Sequence, residues 1–219
     1  MRADLHIHSV YSGDAAQTPA QVLERAKAIG LGAVAIADHN SLEGSLESLE
    51  LADGIIVLRA MEVTSSEGHI LAYNVSKEIE KDLSPAETIK RIREAGGLAV
   101  APHTYRIWSG LGEKVVRENE FDALEVLNGR SLMSANKRAM RLADSLHLPV
   151  TGGSDAHSLD EIGKACTVFP DDCLTANDLI ESIVGGRTEI RGEGRFLGES
   201  FSYGTKCIGE WLGRGMKRL

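Results

Sequence analysis

Long apolar runs are missing from this 219-residue chain, in which no segment approaches the roughly 18 to 20 consecutive apolar residues of a transmembrane helix. At the amino terminus, Met1-Arg2-Ala3-Asp4 leads directly into polar sequence and leaves no room for the apolar core of a secretory signal. Only three cysteines occur, and none has the Cys-x-x-Cys spacing. Such sparse and irregular cysteine usage favours reduced thiols. Together these absences predict a cytoplasmic protein without membrane contact.

The chain also has fewer basic than acidic residues, with 24 lysines and arginines and 32 aspartates and glutamates, which gives a net charge of −8. A protein that binds nucleic acid regardless of sequence needs a basic face. Aromatic residues make up only 5% of the chain, and no stripe of aromatic and basic residues suits single-stranded nucleic acid. Bound metal ions would nevertheless add positive charge where an anionic substrate docks. The balance favours a small phosphorylated molecule over a long duplex, without excluding a short single-stranded end.

A serine nucleophile of the elbow type is absent as well, since Gly153-Ser154-Asp155 lacks the second glycine of Gly-x-Ser-x-Gly. What the chain has instead is a series of histidines and acids at the ends of apolar runs. They are His6 and His8, Asp38 and His39, His103, Asp155 and His157, with Glu62 and His69 on either side of a turn. This placement is typical of a multinuclear metal site, and such sites usually serve hydrolysis.

Between these residues, short apolar runs alternate with helical patterns. Thr18-Pro19 and Ser84-Pro85 each combine a capping residue with a proline, which predicts the start of a helix. The pattern further predicts a strand over 122–127, a helix over 131–146 and a strand over 148–152. Strands that alternate with helices at this spacing indicate an α/β fold with a parallel sheet, closed or nearly closed into a barrel. In such barrels the carboxyl ends of the strands form the functional face.

The last part of the chain, from residue 186, differs in sequence pattern from the segments before it. Gly192, Gly194 and Gly198 indicate a loop, and residues 201–219 resemble a terminal helix with basic residues near its end, namely Arg214, Lys217 and Arg218. A helix docked on the barrel with a solvated basic face is favoured over a membrane or oligomer contact. We therefore predict one domain over 1–219, with a core at 3–190 and a helical tail at about 200–219.

Strand geometry makes the histidine pairs chemically specific. Residues two apart on a strand point to the same face, so His6 and His8 present two imidazoles together, and Asp155 and His157 add a carboxylate and an imidazole. Such ligands suit zinc, manganese or iron. Glu62 follows a buried run and could bridge two cations through its two oxygens, because a buried carboxylate requires a metal or arginine partner.

Three further residues have less specific surroundings. Asp38 could be a metal ligand, a residue that orients a ligand, or the cap of a helix that follows Ser41. Asp14 lies in a loop, where an acid is more often a solvated turn residue. His147 ends a helix before Leu148-Pro149, and we interpret it as structural.

Taken together, these segments resemble the PHP (polymerase and histidinol phosphatase) superfamily. The resemblance runs in order from residue 3 to about 169, through Asp4-Leu5-His6-Ile7-His8-Ser9, Ala37-Asp38-His39-Asn40, Glu62, Gly68-His69-Ile70-Leu71, Ala101-Pro102-His103 and Gly153-Ser154-Asp155-Ala156-His157. It implies a distorted (β/α)7 TIM-like barrel with its active site at the carboxyl ends of the strands. It also implies a metal-dependent phosphoesterase.

Carried over by position, the resemblance implies two to three divalent ions of manganese, iron or zinc. The first would be held by His6, His8, Glu62 and Asp155, the second by Glu62, His69 and His103, and the third by Asp14, His39 and His157. Asp14 lies six residues after His8, where histidinol-phosphatase-like members have a histidine. Other phosphoesterase-type members place an aspartate one residue earlier. Histidinol phosphate is therefore the less favoured substrate.

For the chemistry itself, Arg106 and Arg130 are candidates for phosphate contact, although either could be a plain surface arginine. Asp38 is the candidate for a base near the site or an acid for the leaving group. The stretch between His103 and Phe121 is too short for the substrate-capping subdomain of larger members. We thus expect hydrolysis of phosphate esters of small metabolites or nucleotides. The alternatives are a nuclease acting on single-stranded RNA or DNA ends and a non-catalytic, metal-binding regulatory module, and the oligomeric state stays open.

Overall fold

The computed structural model describes residues 1–195, which form an α/β fold. The helices are α1 (Pro19–Ala28), α2 (Glu43–Leu51), α3 (Pro85–Glu94), α4 (Gly112–Glu118), α5 (Met133–Leu146) and α6 (Ala176–Val184). The strands are β1 (Arg2–Ile7), β2 (Ala33–Ile36), β3 (Ile56–Val57), β4 (Ala60–Thr64), β5 (His69–Tyr73), β6 (Leu98–Ala101), β7 (Ala123–Asn128), β8 (Val150–Gly153), β9 (Ala165–Val168) and β10 (Glu189–Gly192). The predicted helical tail at 200–219 lies outside the described residues, and the assignment of 1–219 to a single domain stays a prediction.

The strands form two five-stranded sheets, in the orders β10-β9-β1-β2-β3 and β4-β5-β6-β7-β8. Both sheets are mixed, because β9, β10 and β5 run antiparallel to their neighbours. The α/β class is confirmed. The sheets are mixed, whereas a parallel sheet was predicted, and closure into one (β/α)7 barrel is not confirmed. Isolated backbone bridges link the sheets, between Ile7 and Ala156 and between His39 and Glu62.

The reversal of β5 has a local cause. Strands β4 and β5 pair from Thr64 opposite His69, and the intervening turn is closed by the Ser65 N–H, which donates to the Gly68 carbonyl at 2.9 Å. A turn this short leaves no length for a crossover, so the second strand must run antiparallel. As a result β5 begins at the edge where β4 and β6 end. His69, its first residue, therefore lies beside ligands that follow the ends of other strands.

Helix starts follow the predicted capping signals. At α1 the Thr18 hydroxyl accepts the Gln21 N–H at 3.3 Å, the Gln21 side chain accepts the Thr18 N–H at 2.9 Å, and Pro19 is the first helical residue. Ser84 caps α3 in the same position relative to its proline. His147 ends α5 with a left-handed φ of 54°, in agreement with its structural interpretation.

Buried strands form the centre of the molecule, and every residue of β2 and of β7 is buried. Parallel strands covered on both faces are typically continuous apolar runs. Strand β7 departs from this rule, because its buried residues include Glu125. Within residues 1–195, no helix combines the length and hydropathy needed to cross a bilayer.

Candidate metal centre

All nine predicted metal ligands converge on one largely buried centre at the ends of the strands. Their ligand atoms form four overlapping groups, and within each group all atoms lie within 4.8 Å of one another. The groups are His6, His8 and Asp155; His6, Glu62 and His103; His39, Glu62 and His69; and His8, Asp14, His39 and His157. Residues far apart in sequence thus form one continuous cluster of imidazoles and carboxylates.

Glu62 lies in the middle of this cluster, and its two oxygens face different histidines. Oε1 lies 2.9 Å from Nε2 of His103 and 3.1 Å from Nδ1 of His69. Oε2 lies near three other rings, at 3.5 Å from Nε2 of His6, 3.4 Å from Nε2 of His8 and 3.1 Å from Nδ1 of His39. This division is the one required of a carboxylate that bridges two cations.

Several buried ring nitrogens around the carboxylates make no hydrogen bond. They are Nε2 of His6 and of His8, and Nδ1 of His39, His69 and His103. Buried polar atoms in folded proteins normally have a hydrogen-bond partner, so a group of exceptions needs an explanation. Imidazole nitrogens and carboxylate oxygens are preferred ligands of divalent zinc, manganese and iron. The residues present therefore fit such ions.

Glu125 fixes the orientation of His6 from the neighbouring sheet. Its Oε1 lies 2.9 Å from Nδ1 of His6, and its Oε2 accepts the His103 backbone N–H at 3.0 Å and the Asn128 side-chain N–H at 2.9 Å. A carboxylate only accepts hydrogen bonds, so Nδ1 of His6 must carry the hydrogen. Nε2 is then the nitrogen that faces Glu62 and Asp155. Burial lowers the pKa of His6, but Glu125, Asp155 and Glu62 outweigh it and raise the pKa well above its ordinary value, so a metal that binds at Nε2 would displace a proton from the ring.

Ser12 plays the corresponding part for His8. Its hydroxyl donates to Oδ1 of Asp38 at 2.9 Å and accepts the His39 backbone N–H at 3.0 Å. Because its single hydrogen is used, the contact at 2.8 Å to Nδ1 of His8 must be donated by the ring. Nε2 of His8 is therefore free to bind a metal.

Asp38 supports this arrangement rather than facing the ligand cluster. It is fully buried, and Oδ1 also accepts the Ser9 N–H at 2.6 Å while Oδ2 accepts the Ser9 hydroxyl at 2.7 Å. Helix α2 begins after Leu42 without a side-chain cap, so the alternative of Asp38 as its cap is wrong. Of the three possibilities left open by the sequence, orientation of a ligand agrees best with these contacts.

Asp14 reaches into the centre although it lies in a loop. Its Oδ2 is 2.9 Å from Nε2 of His157 and 3.8 Å from Nε2 of His39, and its side chain is 9% exposed. The alternative of a solvated turn residue is thus wrong. The left-handed φ of 78° at Gly13 directs the chain back toward the strand ends just before this residue.

Both candidate phosphate-binding arginines lie at the edge of the centre, against Asp155. Nη2 of Arg106 is 2.6 Å from Oδ2 of Asp155 and 2.8 Å from Oδ1 of Asn128. Nη1 of Arg130 lies 3.7 Å from Oδ1 of Asp155 and contacts Nδ1 of His157. The structure thus places positive charge beside the predicted ligands.

Two of the ligands adopt a backbone conformation that is uncommon for residues with a side chain. The φ angle is 28° at His103 and 57° at Asp155, and each residue lies two positions after the last residue of a strand. Positive φ in a non-glycine residue costs free energy and persists only where surrounding contacts enforce it. In this fold it turns both side chains into the cluster.

The charge states of Glu62, Asp155 and His103 also suit metal binding. Burial raises the pKa of Glu62, but the neighbouring histidines, led by His69, outweigh it and hold the pKa well below its ordinary value. For Asp155, burial is likewise outweighed, chiefly by Arg106, and the pKa again lies well below the usual range. Burial and the Arg106 charge lower the pKa of His103 to about 4. Near neutral pH the centre thus offers charged carboxylates and a neutral imidazole at His103, the states in which these groups bind metals.

Sequence reasoning missed three supporting residues, Glu125, Ser12 and Asn128. A signal existed for Glu125, because it interrupts the apolar run of β7 and a buried carboxylate needs a partner. No comparable signal marks Ser12 or Asn128, which are ordinary loop and strand-end residues until the fold brings their partners close.

Comparison with known proteins independently supports the resemblance to the PHP superfamily. The profile of the PHP domain matches residues 4–101, and that of a PHP-associated region matches residues 133–188. The uncharacterized protein MJ1587 of Methanocaldococcus jannaschii is 40% identical over 141 residues, which cover 58% of this chain and 82% of that protein.

Two solved structures have a similar fold. A two-domain protein of Bacteroides vulgatus, described as containing a PHP-like metal-dependent phosphoesterase, aligns with a TM-score of 0.75 at 18% identity, over 88% of this chain and 65% of that one. The lesion-specific endonuclease PfuEndoQ of Pyrococcus furiosus aligns with a TM-score of 0.67 at 22% identity, over 86% and 57%. The present chain spans less than two thirds of either structure, and at these identities the likeness concerns the fold.

Proposed function

Because this chain belongs to the PHP domain family, we propose that it is a metal-dependent phosphoesterase acting on small phosphorylated molecules, namely metabolites or nucleotides. The observation that carries the proposal is the position of Glu62. Its two oxygens face separate sets of histidines, and each set includes buried ring nitrogens that make no hydrogen bond. Such a carboxylate suits a bridging role between two cations.

We further propose a trinuclear centre with the ligand sets implied by the family resemblance. His6, His8 and Asp155 would hold one ion beside Oε2 of Glu62; His69 and His103 would hold a second beside Oε1; and Asp14, His39 and His157 would hold a third. When bound, divalent ions supply water of lowered pKa and positive charge for phosphoryl oxygens. The number and identity of the ions, with manganese, iron and zinc as candidates, stay part of the proposal.

Residues of the chain itself would position the substrate. The guanidinium groups of Arg106 and Arg130 match the geometry of phosphoryl oxygens, and both lie at the edge of the ligand cluster beside Asp155. Asp38 would act as a positioning residue, since both of its oxygens accept hydrogen bonds from Ser9 and Ser12. Its complete burial favours this role over direct proton transfer to a substrate.

A phosphatase screen combined with metal analysis tests the proposal. The full chain, loaded with manganese, iron or zinc, is assayed with nucleotides, sugar phosphates and a 5′-labelled single-stranded oligonucleotide. We expect phosphate release from small esters and loss of both turnover and bound metal in Glu62→Gln. Glu80→Gln, at an exposed position, is the matched control.

Two results would contradict the proposal. Full activity of Glu62→Gln would exclude the bridging role. Stoichiometric metal without phosphate release from any small ester would exclude the phosphatase function, and cleavage of the oligonucleotide alone would favour the nuclease.

A further inference from the structure

Two large apolar side chains project into solvent beside the metal centre. Ile107 is 87% exposed and Trp108 is 86% exposed, more than any other large apolar residue within 1–195. They lie in the loop between β6 and α4, which also contains the predicted ligand His103. An exposed indole surface of this size is energetically unfavourable in water, so its position next to a site for small molecules calls for an explanation.

The loop that carries this pair is held by its own backbone. The Arg106 N–H donates to the His103 carbonyl at 2.9 Å, the Gly110 N–H to the Arg106 carbonyl at 3.1 Å, and the Gly112 N–H to the Thr104 carbonyl at 2.9 Å. A Cβ atom at Gly110 would lie 2.6 Å from two of these carbonyl oxygens, so only glycine fits there. An ordered loop therefore presents Trp108, and its exposure is a property of the fold.

Contacts on both sides of Trp108 connect it to the centre. Two residues before it, the Arg106 side chain bonds to Asp155 at 2.6 Å. One residue after it, the Ser109 carbonyl accepts the backbone N–H of the ligand His69 at 2.9 Å. Because consecutive Cα atoms are about 3.8 Å apart, the Trp108 backbone lies at the rim of the centre, two residues from Arg106, the candidate for phosphate contact.

We propose that Trp108 is a binding face for a flat aromatic ring in the leaving group of the substrate, which would make the substrate a nucleoside or aryl phosphate. This inference rests on the proposed phosphoesterase function. A phosphoryl group near Arg106 would place an attached ring close to the indole, where stacking removes apolar surface of both rings from water. Ile107 would extend the apolar surface at the edge.

The size of the patch favours a single ring over a protein partner. Its two residues are flanked by the half-buried Tyr105 and by Ser109 and Gly110, which add little apolar area. Stable protein interfaces bury roughly 800 Å² on each partner, far more than two side chains supply. A ring of the substrate matches the area that is exposed.

Kinetics on matched substrates test the inference. Adenosine monophosphate and phenyl phosphate carry aromatic leaving groups, whereas glycerol phosphate does not. We expect Trp108→Ala to raise KM for the first two by about tenfold, the size of one lost stacking contact, and to leave kcat and the glycerol phosphate reaction unchanged. Trp108→Phe should restore most of the loss. Leu174→Ala, which truncates another exposed apolar side chain, is the control.

An equal loss on all three substrates, or no loss on any, would overturn the inference. A rise in KM confined to adenosine monophosphate would restrict the ring to a nucleobase, and a rise for both aromatic esters would support the wider class.

Fluorescence separates this inference from the proposed function, because binding needs no turnover. The chain has two tryptophans, so Trp211→Phe leaves Trp108 as the single reporter. We expect adenosine monophosphate to quench the emission and glycerol phosphate to leave it unchanged. Quenching without hydrolysis of any ester would refute the function and retain the ring site. Hydrolysis without quenching would do the reverse. A dimer in sedimentation velocity that Trp108→Ala dissolves would assign the patch to a second copy and overturn the inference.

Discussion

Glu125 allows a sharp test of how the protein prepares its histidines for metal. Glu125→Gln keeps the size and shape of the side chain but replaces one acceptor oxygen with an NH₂ donor. The wild-type carboxylate, 1% exposed, meets N–H groups at both oxygens: the His6 ring on Oε1, and the His103 backbone and Asn128 side chain on Oε2. Glutamine can satisfy only one of these two sides.

Each orientation of the glutamine has a distinct cost. If its NH₂ group faces His6, the ring must accept at Nδ1 and carry its hydrogen on Nε2, which removes the lone pair that the metal needs. If the NH₂ group faces the other side, it opposes the His103 N–H and the Asn128 amide. Asn128 has no easy way to flip, because its carbonyl oxygen already accepts from Arg106 at 2.8 Å and from the Arg130 N–H at 3.0 Å.

The expected magnitudes follow from these two alternatives. Loss of a partner that orients a metal-binding histidine typically lowers metal affinity by about 10- to 100-fold. A buried N–H left without an acceptor costs about 1–3 kcal/mol of folding stability. We expect Glu125→Gln to show the first effect if the amide faces His6 and the second if it faces His103, with a mixture in between.

Three measurements on the same variant distinguish the outcomes. Nitrogen-15 shifts of the His6 ring in metal-free protein, followed over a range of pH, report its protonation state and tautomer. Calorimetric titration with zinc or manganese reports affinity, and thermal unfolding reports stability. Glu80→Gln serves as the control for charge removal. A variant with the wild-type His6 tautomer, metal affinity and melting temperature would refute the idea that Glu125 positions this ligand.

Three further expectations concern positions around the centre. A Cβ atom at Gly153 would lie 2.4 Å from Cβ of His6. We therefore expect Gly153→Ala to destabilise the fold by about 1–3 kcal/mol, which would lower the midpoint of unfolding in urea. An unchanged midpoint would contradict this packing. Ser12→Ala removes the acceptor for Nδ1 of His8 and should weaken zinc binding by about tenfold. Circular dichroism should show unchanged secondary structure. Wild-type zinc affinity would argue against this role of the Ser12 hydroxyl. Burial raises the pKa of the Cys166 thiol to about 12, so the thiol should stay protonated at pH 8. We expect iodoacetamide to label Cys166 only after the protein is unfolded, as measured by peptide mass spectrometry. Rapid labelling of the folded protein would contradict this expectation.

The sequence predicted those parts of the fold that depend on local signals. Helix starts at Thr18 and Ser84 follow from side chains that bond to backbone only a few residues away, so their information is contained in a short window. Sheet direction is different. The short turn before His69 does require an antiparallel β5, and that rule was available from the sequence. The division into two sheets depends on long-range pairing that no window contains.

For the site, the sequence predicted which histidines and acids would come together, but not which ring nitrogen each histidine presents. Whether a histidine offers Nδ1 or Nε2 is decided by the acceptor at its other nitrogen, and the fold determines which residue that acceptor is. For His6 the acceptor is Glu125, 119 positions away, and for His8 it is Ser12, whose own hydrogen is taken by Asp38. Both rings are thereby set with Nε2 toward the carboxylates before any ion arrives. A chain could keep all nine predicted ligand residues and still fail to bind metal if these acceptors changed, so an intact motif alone is an insufficient sign of an active centre.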